Sequence, residues 1–458
     1  MVRPPCEACK SLERLRFASE DLNVTIIEIV TRSSIIEAQY PNNFREKDAL
    51  ALSSNLASDQ SLVLIGIKRV GISNFLRFYL NHPHIISQLE RGGRKYLFIK
   101  VDLNDLVEKE IYPFWVLTFK RIVDATEESS LDTETQKKIA ELFLDSIQSK
   151  HLVLLLDGIR KSLQLLVEER ITPTIFFVRF DRMRESVTPD FFANLQSLKD
   201  VAHRLLTLIF TSFRSLDQLA PLVFSKASLS MFAKNMYLKP VHEEDLEIIY
   251  NVYQKNYDLS FSLEIKKKLF ESVGGYIQFL QLALILLHEN RLVVTPDQLF
   301  DALCKDERII LQCEELWESL TPDEKQILLK IHHKQPLRPE DKEKGAYLWD
   351  TGMVHSKGKL FSPLFSYFLE SNMKHKSHTS VDFTKKELLF FHYLENNKLG
   401  ICDRESIITA VWPEEEDLGV SDWAIDRLVS RVRSKLKKQK SRYQIVTIKT
   451  RGFRLVES

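Results

Sequence analysis

Gly66, Gly71 and Ser73 fit the pattern of a phosphate-binding loop, G-x-x-x-x-G-K-[ST], at every position but one. In such a loop, backbone N–H groups hold phosphate oxygens, the lysine neutralises their charge, and the hydroxyl binds magnesium. Ile72 stands at the lysine position, and isoleucine supplies neither charge nor hydrogen-bond donor. The residues present therefore predict weak phosphate binding by backbone groups, or a tight turn that only packs a helix on a sheet.

The loop requires a strand before it and a helix after it, and the surrounding sequence supplies both. Short apolar runs alternate with helical stretches between Ser61 and Pro240. These runs are Leu62–Ile65, Tyr96–Val101, Thr174–Phe180, Leu205–Thr211 and Met236–Leu238. The alternation predicts an α/β domain with a parallel sheet, and a helix over Asn74–Leu80 directly after the loop. Lys68 and Arg69, within the loop, are candidates to replace part of the missing charge.

The C-terminal end of the chain offers a second chemistry, that of concentrated positive charge. Val420 to Ser458 contain 11 basic and 3 acidic residues, a net charge of +8, whereas the whole chain of 458 residues carries only +1. A basic end on an otherwise mildly acidic protein is typical of a nucleic-acid-binding module joined to other domains.

Helical spacing places the basic residues on one face of a predicted helix. From Ser421 to Lys438 the apolar residues fall on one stripe of a helix, and they are Ile425, Leu428, Val429, Val432 and Leu436. A second face carries Arg427, Arg431, Ser434 and Lys438, with Lys435 next to it. Such a face suits the phosphates and base edges of a major groove. Ser421 or Asp422 is the expected N-cap of this helix.

The flanking segments complete a winged helix-turn-helix pattern. Helical spacing covers Asp382–Tyr393 and Arg404–Val411, and Thr384 with Glu387 forms a capping box. Strand-like Gln444–Ile448 and Phe453–Leu455 enclose a turn at Thr450–Gly452, which places Arg451 at the tip of a hairpin. A basic helix by itself would equally suit RNA, a membrane surface or solvation, but the complete pattern favours double-stranded DNA.

Three segments resemble the DNA-binding domain of OmpR/PhoB-class response regulators. They read FTKKELLFFHYLENNKLGICDRESIITAVWP, DWAIDRLVSRVRSKLKK and IVTIKTRGFRL. The resemblance implies major-groove roles for Arg427, Ser430, Arg431 and Ser434, and a minor-groove role for Lys449, where the family usually has arginine. It also implies that the acidic loop 413–419 contacts RNA polymerase, although an acidic solvated loop fits that sequence equally well.

The middle of the chain resembles STAND and origin-recognition-type AAA+ ATPases over about residues 40–370. The resemblance rests on FREKDAL (Phe44 to Leu50), LLTLIFTSFRSL (from Leu205), GGYIQFLQLAL (from Gly274) and LTPDEKQILLKI (from Leu320). It implies ATP or ADP with Mg²⁺ as the ligand. It also implies a sensor strand that ends at Ser212 and Arg214.

The acids that such an ATPase needs are absent from the matching segment, TIFFVRFDRM. Alignment with the family pattern puts Val178 and Arg179 at the two acidic positions, which leaves Asp181 as the only nearby carboxylate. Losing those acids would remove the magnesium ligand and the group that polarises the attacking water. We therefore expect a module without ATP hydrolysis. Residual ATP or ADP binding stays open as an alternative.

Composition bounds the remaining possibilities. With 44% hydrophobic residues and no apolar run long enough to span a bilayer, the chain predicts a cytoplasmic protein with no membrane segment. Cys6 and Cys9 form a CxxC pair that supplies half a zinc site, but no second pair follows, so neither a metal site nor a disulfide framework is expected.

The expected fold is α/β plus α, with a helical lid and two winged helices after the nucleotide-binding-type domain. The expected divisions are 1–40 of unknown role, 41–240 α/β domain, 241–313 lid, 314–370 first winged helix, 371–380 linker and 381–458 DNA-binding winged helix. The favoured function is a DNA-binding transcriptional regulator whose ATPase-like module senses a signal or forms a homo-oligomer. The alternative is an ATP-driven STAND-type switch. A replication initiator or defence adaptor would rest on analogy of fold alone.

Overall fold

The computed structural model describes residues 35–90, 93–202, 205–221, 223, 233–257, 259–289, 295–375, 383–397, 400–412, 422–438, 441–448 and 451–457. The chain divides into two compact units, residues 1–365 and 366–458. Cys6 and Cys9 lie outside the described residues, as does most of the segment 1–40. Within the described ranges, no group of three or more His, Cys, Asp or Glu side chains is placed to hold a metal ion.

A five-stranded parallel sheet organises the first unit. Its strands are β1 (Leu62–Ile65), β2 (Lys95–Asp102), β3 (Ile171–Val178), β4 (Thr207–Ser212) and β5 (Lys234–Tyr237). They lie in the order β2-β3-β4-β1-β5, and every neighbouring pair is parallel. β1 and β4 are buried along their whole length, as expected for parallel strands with both faces covered. The predicted α/β domain with a parallel sheet is thereby confirmed.

The third strand begins and ends earlier than the predicted run Thr174–Phe180, and the reason for its earlier end is local. β3 ends at Val178 rather than at Phe180, because Arg179 takes a left-handed conformation with φ of 63° and a short 3₁₀ helix, Phe180–Met183, follows. The chain thus turns sharply at the carboxyl end of the sheet. This turn sets the position of Asp181.

Eight helices belong to the α/β part as far as it is described. They are α1 (Glu46–Ala57), α2 (Ile72–Asn81), α3 (Pro83–Glu90), α4 (Ile111–Glu127), α5 (Thr133–Ser149), α6 (Leu152–Glu168), α7 (Pro189–Val201) and α8 (Leu216–Leu219). Aromatic side chains fill the core between sheet and helices. Phe177 stacks on Phe210 at 5.5 Å between ring centroids, and Phe114 packs on Phe177 at 5.1 Å.

The described residues that follow the sheet are mainly helical. The helices are α9 (Glu243–Asn256), α10 (Leu263–Val273), α11 (Ile277–Glu289), α12 (Pro296–Lys305), α13 (Glu307–Glu318), α14 (Pro322–His332), α15 (Pro339–Lys344), α16 (Ala346–Asp350) and α17 (Pro363–His375), of which α17 begins in the first unit and ends in the second. An isolated antiparallel bridge joins Val354 and Leu360 before α17. α13 continues through residue 313, where the sequence analysis ends the lid, and α17 continues to His375 through half of the expected linker.

The second unit is a three-helix domain with a hairpin. Its elements are α18 (Lys385–Asn396), α19 (Arg404–Val411), α20 (Asp422–Lys438), β6 (Tyr443–Ile448) and β7 (Gly452–Glu457). β6 and β7 pair antiparallel in register from Tyr443–Glu457 to Ile448–Gly452. The core of this domain contains Phe390 of α18, Ile407 of α19 and the apolar stripe of α20. The predicted C-terminal winged helix is confirmed, and so is its capping box at Thr384 and Glu387.

Candidate functional site

The glycine loop between β1 and α2 is a tight turn held against the sheet and a neighbouring helix. The N–H of Gly66 donates to the carbonyl of Ser212 at 3.3 Å, which ties the loop to the end of β4. Gly71 has φ of 105°, a conformation that favours glycine, and α2 begins at the next residue. A Cβ on Gly71 would come within 2.4 Å of Ile277 Cδ1, so α11 packs directly on the loop.

A cavity of about 580 Å³ opens at the carboxyl ends of β1, β3 and β4. Seven of the eight residues predicted from sequence for a nucleotide site line it, namely Gly66, Lys68, Arg69, Gly71, Ser73, Asp181 and Ser212. Side chains of α11 and α13, including Gln278, Gln281 and Glu315, close the opposite side. The structure therefore gathers these residues around one space. Whether they bind a nucleotide stays a prediction.

Glu315 of α13 contacts both basic residues of the loop, and the sequence analysis did not single it out. Arg69 Nε donates to Glu315 Oε2 at 3.0 Å, and Lys68 Nζ lies 4.0 Å from Oε1. The hydroxyl of Tyr276 donates to the carbonyl of Lys68 at 2.5 Å. Only the fold could reveal these contacts, because Glu315 follows Arg69 by 246 residues. A carboxylate of α13 thus pairs with the two cations of the loop.

The end of β3 presents a cation where the ATPase pattern has acids. Val178 is 2% exposed, and the N–H of Arg179 donates to Thr211 Oγ1 at 2.7 Å. The Arg179 guanidinium donates through Nη1 to Asp102 Oδ1. Burial acts to raise the pKa of Asp102, but the hydrogen bonds from Arg179 and from the Asn104 N–H outweigh it and hold that pKa below its usual range.

Asp181 lines the cavity, but its environment opposes ionisation. Burial raises the pKa of its carboxyl above the usual range, although Lys68 and Arg179 act to lower it. A magnesium ion needs oxygen ligands in octahedral geometry, commonly from ionised carboxylates. Asp181 is desolvated, and Glu315 is paired with Arg69. The residues of this cavity therefore do not fit a bound Mg²⁺.

Arg214 does not join the cavity, and here the structure departs from the sequence-based expectation. Its guanidinium donates to both carboxylate oxygens of Glu324, at 2.6 and 2.7 Å, and also to the carbonyl of Ser319 at 2.7 Å. It lies 3.8 Å from the ring centroid of Tyr347. The ion pair is buried, with side-chain exposures of 8% and 3%. Arg214 thus joins the segment after β4 to α14.

In the second unit, α20 has a buried apolar stripe and an exposed polar face. The predicted stripe is confirmed, since Ile425, Leu428, Val429, Val432 and Leu436 are all buried. Among the residues of α20 whose burial is described, Asp426, Ser430, Ser434 and Lys437 are exposed and are spaced at helical intervals. Arg427, beside them, is half-buried. Ser430 and Ser434 thus lie where the sequence analysis places the groove-facing surface.

Arg431 and Lys435 face the interior of the domain. Lys435 Nζ donates to Glu387 Oε2 at 2.7 Å, and Arg431 Nε lies 3.9 Å from Oε1 of the same carboxylate. Their side chains are only 15% and 14% exposed, and Glu387 is fully buried. Helical spacing alone could not distinguish these positions from the groove face, because Glu387 is contributed by another helix, α18.

The hairpin is held to the helices by specific contacts. Arg433 Nε donates to the carbonyl of Ile445 at 2.8 Å, which joins α20 to β6. Gly452 has φ of 126°, and a Cβ there would lie 2.0 Å from the carbonyl of Cys402. Arg451, next to it, is exposed at the turn. Lys449, the loop 413–419 and the side chain of Lys438 lie outside the described residues.

Comparison with known proteins identifies this second unit. Residues 378–455 match the family model described as "Transcriptional regulatory protein, C terminal". None of the curated proteins matches the chain. Within the described ranges, none of the helices combines the length and apolar character needed to cross a membrane.

Solved structures with a similar fold include archaeal ATPases. A Walker-type ATPase of Pyrococcus abyssi is 15% identical, with 71% of this chain and 95% of that chain covered and a TM-score of 0.48. The Aeropyrum pernix ORC2 protein, in ADPNP and ADP complexes, is 13% identical over 72% of this chain and 93% of that one, with a TM-score of 0.41. The chain combines an α/β module built on a five-stranded parallel sheet with a C-terminal segment, residues 378–455, that matches the transcriptional regulatory protein family.

Proposed function

We propose that this protein is a transcriptional regulator that recognises duplex DNA sequences through its C-terminal winged helix. The observation that carries the proposal is the surface of α20, where Ser430, Ser434 and Lys437 are exposed opposite a fully buried apolar stripe. An α-helix with one polar face fits the major groove of B-form DNA, and its side chains then reach base edges. The family match of residues 378–455 supports the same assignment.

The residues of this surface divide by the contacts that they can make. Ser430 and Ser434 are short and exposed, so they let the helix approach the bases closely and donate or accept hydrogen bonds there. Arg427, Lys437 and Lys438 are suited to phosphates, which set affinity rather than sequence preference. In the wing, Lys449 and Arg451 are the residues proposed for the minor groove.

Arg431 and Lys435 take a different part in this proposal from the one the sequence suggests. Because both side chains contact the buried Glu387, they fix the orientation of α20 against α18. An arginine or lysine held by a carboxylate presents less positive potential to phosphate than an exposed one. We therefore assign them a positioning role, with direct base contact left to the exposed face.

The first unit acts, in this proposal, as a module without ATP hydrolysis that senses a ligand or associates with a second copy of the chain. Support comes from Ile72 at the lysine position of the loop and from Val178 and Arg179 at the end of β3. Contact between the acidic loop 413–419 and RNA polymerase is the remaining part of the proposal. It rests on the resemblance to OmpR/PhoB-class regulators.

Selection of bound fragments from a random duplex library by the full-length protein tests this function. We expect enrichment of a defined sequence, with specific binding at least about a thousandfold tighter than binding to unrelated duplexes. Affinity should fall steeply with salt, because phosphate contacts release counterions. Equal binding to all duplexes would reject sequence-specific regulation.

The second candidate function is an ATP-dependent switch, and the cavity at the glycine loop is the observation that favours it. Such a switch would hydrolyse ATP in a Mg²⁺-dependent reaction that Ser73→Ala abolishes, since the loop hydroxyl is the magnesium ligand in this class. Phosphate release by the wild-type protein at the level of the Ser73→Ala variant would reject this candidate.

A further inference from the structure

The cavity at the glycine loop has an unusual arrangement of charge for a nucleotide site. Among the described residues that line it, the cations are Lys68, Arg69 and Arg179, and the carboxylates are Asp181 and Glu315. The three cations come from two separate strand ends, since Lys68 and Arg69 follow β1 and Arg179 follows β3. Phosphate oxygens at the loop would therefore have positive charge on two sides.

Arg179 is placed to act on such a ligand. It lies at the carboxyl end of β3, lines the cavity, and is 38% exposed at its side chain. The bond to Asp102 uses Nη1, and a guanidinium carries five N–H donors in a planar fork. Asp102 thus orients the group without using its full donor capacity. The left-handed backbone at Arg179, with its N–H held by Thr211, fixes where the side chain begins.

This cavity does not offer carboxylate ligands suited to a divalent metal ion. Glu315 is paired with Arg69 at 3.0 Å, and Asp181 is partly buried, which raises the pKa of its carboxyl. A guanidinium at the end of β3 also repels a cation from the place where an acid would attract it. The charge that magnesium normally supplies to phosphates is thus available from the protein itself.

We propose that this cavity binds a nucleoside diphosphate without a divalent cation, with Arg179 providing the charge that a metal would otherwise provide. The volume of about 580 Å³ falls within the usual range for small-molecule sites, and it exceeds what a diphosphate alone would fill. The amide side chains of Asn74, Gln278 and Gln281 line the space and can hydrogen-bond a sugar or base. This inference is independent of the DNA-binding function.

Glu315 is the intramolecular competitor of this ligand. Its carboxylate contacts Lys68 and Arg69, the two loop cations nearest the site of the phosphates. A bound diphosphate must share or displace that carboxylate, because like charges at close range repel. Removing its charge therefore strengthens binding, whereas removing the charge of Arg179 weakens it.

Calorimetric titration of the full-length protein with ADP, in EDTA and in excess MgCl₂, tests the proposal. We expect affinities that agree within about twofold in the two buffers, a loss of about tenfold in Arg179→Gln and a gain of about tenfold in Glu315→Gln. Lys95→Gln is the matched control, since Lys95 is exposed at the start of β2 and lies outside the cavity, and the substitution also removes one positive charge. Its affinity should equal that of the wild type.

Two results would overturn the proposal. One is ADP binding that Mg²⁺ strengthens tenfold or more, and the other is the absence of binding in both the wild type and Glu315→Gln. Should Arg179→Gln fail to fold, the gain expected in Glu315→Gln still decides the question. DNA binding by each variant is measured in parallel, so a failure here is distinguishable from a failure of the transcriptional function.

Discussion

The ammonium of Lys435 in α20 lies 2.7 Å from the carboxylate of Glu387, and the glutamate is fully buried. The same carboxylate closes the capping box of α18 through the N–H of Thr384, at 2.9 Å. One acidic side chain therefore joins the start of the first helix of the domain to the helix proposed to enter DNA. Glu387 therefore affects both the orientation of α20 and the positive charge that α20 can present to phosphate.

Replacing Glu387 with glutamine should separate these two effects. Glutamine can still cap α18, but it loses the charge that holds Lys435 and Arg431. We expect the free energy of unfolding of the C-terminal domain to fall by about 1–3 kcal/mol. We also expect tighter binding to unrelated duplexes with a steeper salt dependence, because two cations lose their partner. Urea unfolding and fluorescence anisotropy at several salt concentrations measure both, and unchanged salt dependence would contradict the argument.

The residues of α20 show which structural features helical periodicity can predict. The apolar stripe of α20 follows from spacing, because burial of one helix face is a local property of the sequence. Spacing does not predict whether Lys435 contacts a base or forms an internal ion pair, because that depends on a carboxylate 48 residues earlier in the chain. Strands of the sheet were predictable for the same local reason. The contact between Glu315 and the loop was not.

Ser434→Glu tests the groove-facing surface directly. Ser434 is exposed on α20, so a carboxylate there should clash with the negative potential of DNA and weaken specific binding by at least about tenfold. Leu389→Glu is the matched control, because Leu389 is 38% exposed on α18 and the substitution adds the same charge to the same domain. Anisotropy titrations on the selected duplex compare the two. Equal losses in both variants would mean that only net charge matters.

Arg214→Met should destabilise the first unit rather than alter ligand binding. The substitution leaves Glu324 buried without its bidentate partner, and breaking a buried pair in this way costs about 3–5 kcal/mol. The double variant Arg214→Met/Glu324→Gln should recover part of the loss, since glutamine is neutral and still caps α14 at Thr321. Urea unfolding measures the free energy of unfolding of the single and of the double variant. A double variant less stable than the single one would contradict a pairwise interaction.

We expect the pairing of Asp341 to make the free energy of unfolding of the first unit fall at acid pH. The backbone N–H of Arg338 and the ammonium of Lys330 lower the pKa of this carboxyl to about 2. Because the folded pKa lies below the unfolded value of about 3.9, the stabilisation is present above that value and is lost as pH falls toward 2. Asp341→Asn should lower stability at neutral pH and flatten its pH dependence between about pH 4 and 2. Urea unfolding at a series of pH values measures this, and parallel curves for the two proteins would disprove it.

Ile72→Lys restores the missing residue of the glycine loop and separates binding from catalysis. Ile72 lines the cavity at the start of α2, so a lysine there can reach phosphate oxygens and should tighten ADP binding by about tenfold. Ile72→Met, similar in length but uncharged, should leave the affinity unchanged. Hydrolysis of ATP should stay at background in both variants, because Val178 and Arg179 still provide no acid at the end of β3 to bind metal or polarise water. Mg²⁺-dependent phosphate release by Ile72→Lys alone would show that Asp181 serves as that acid, and would reject the assignment of Arg179 as the substitute for a metal.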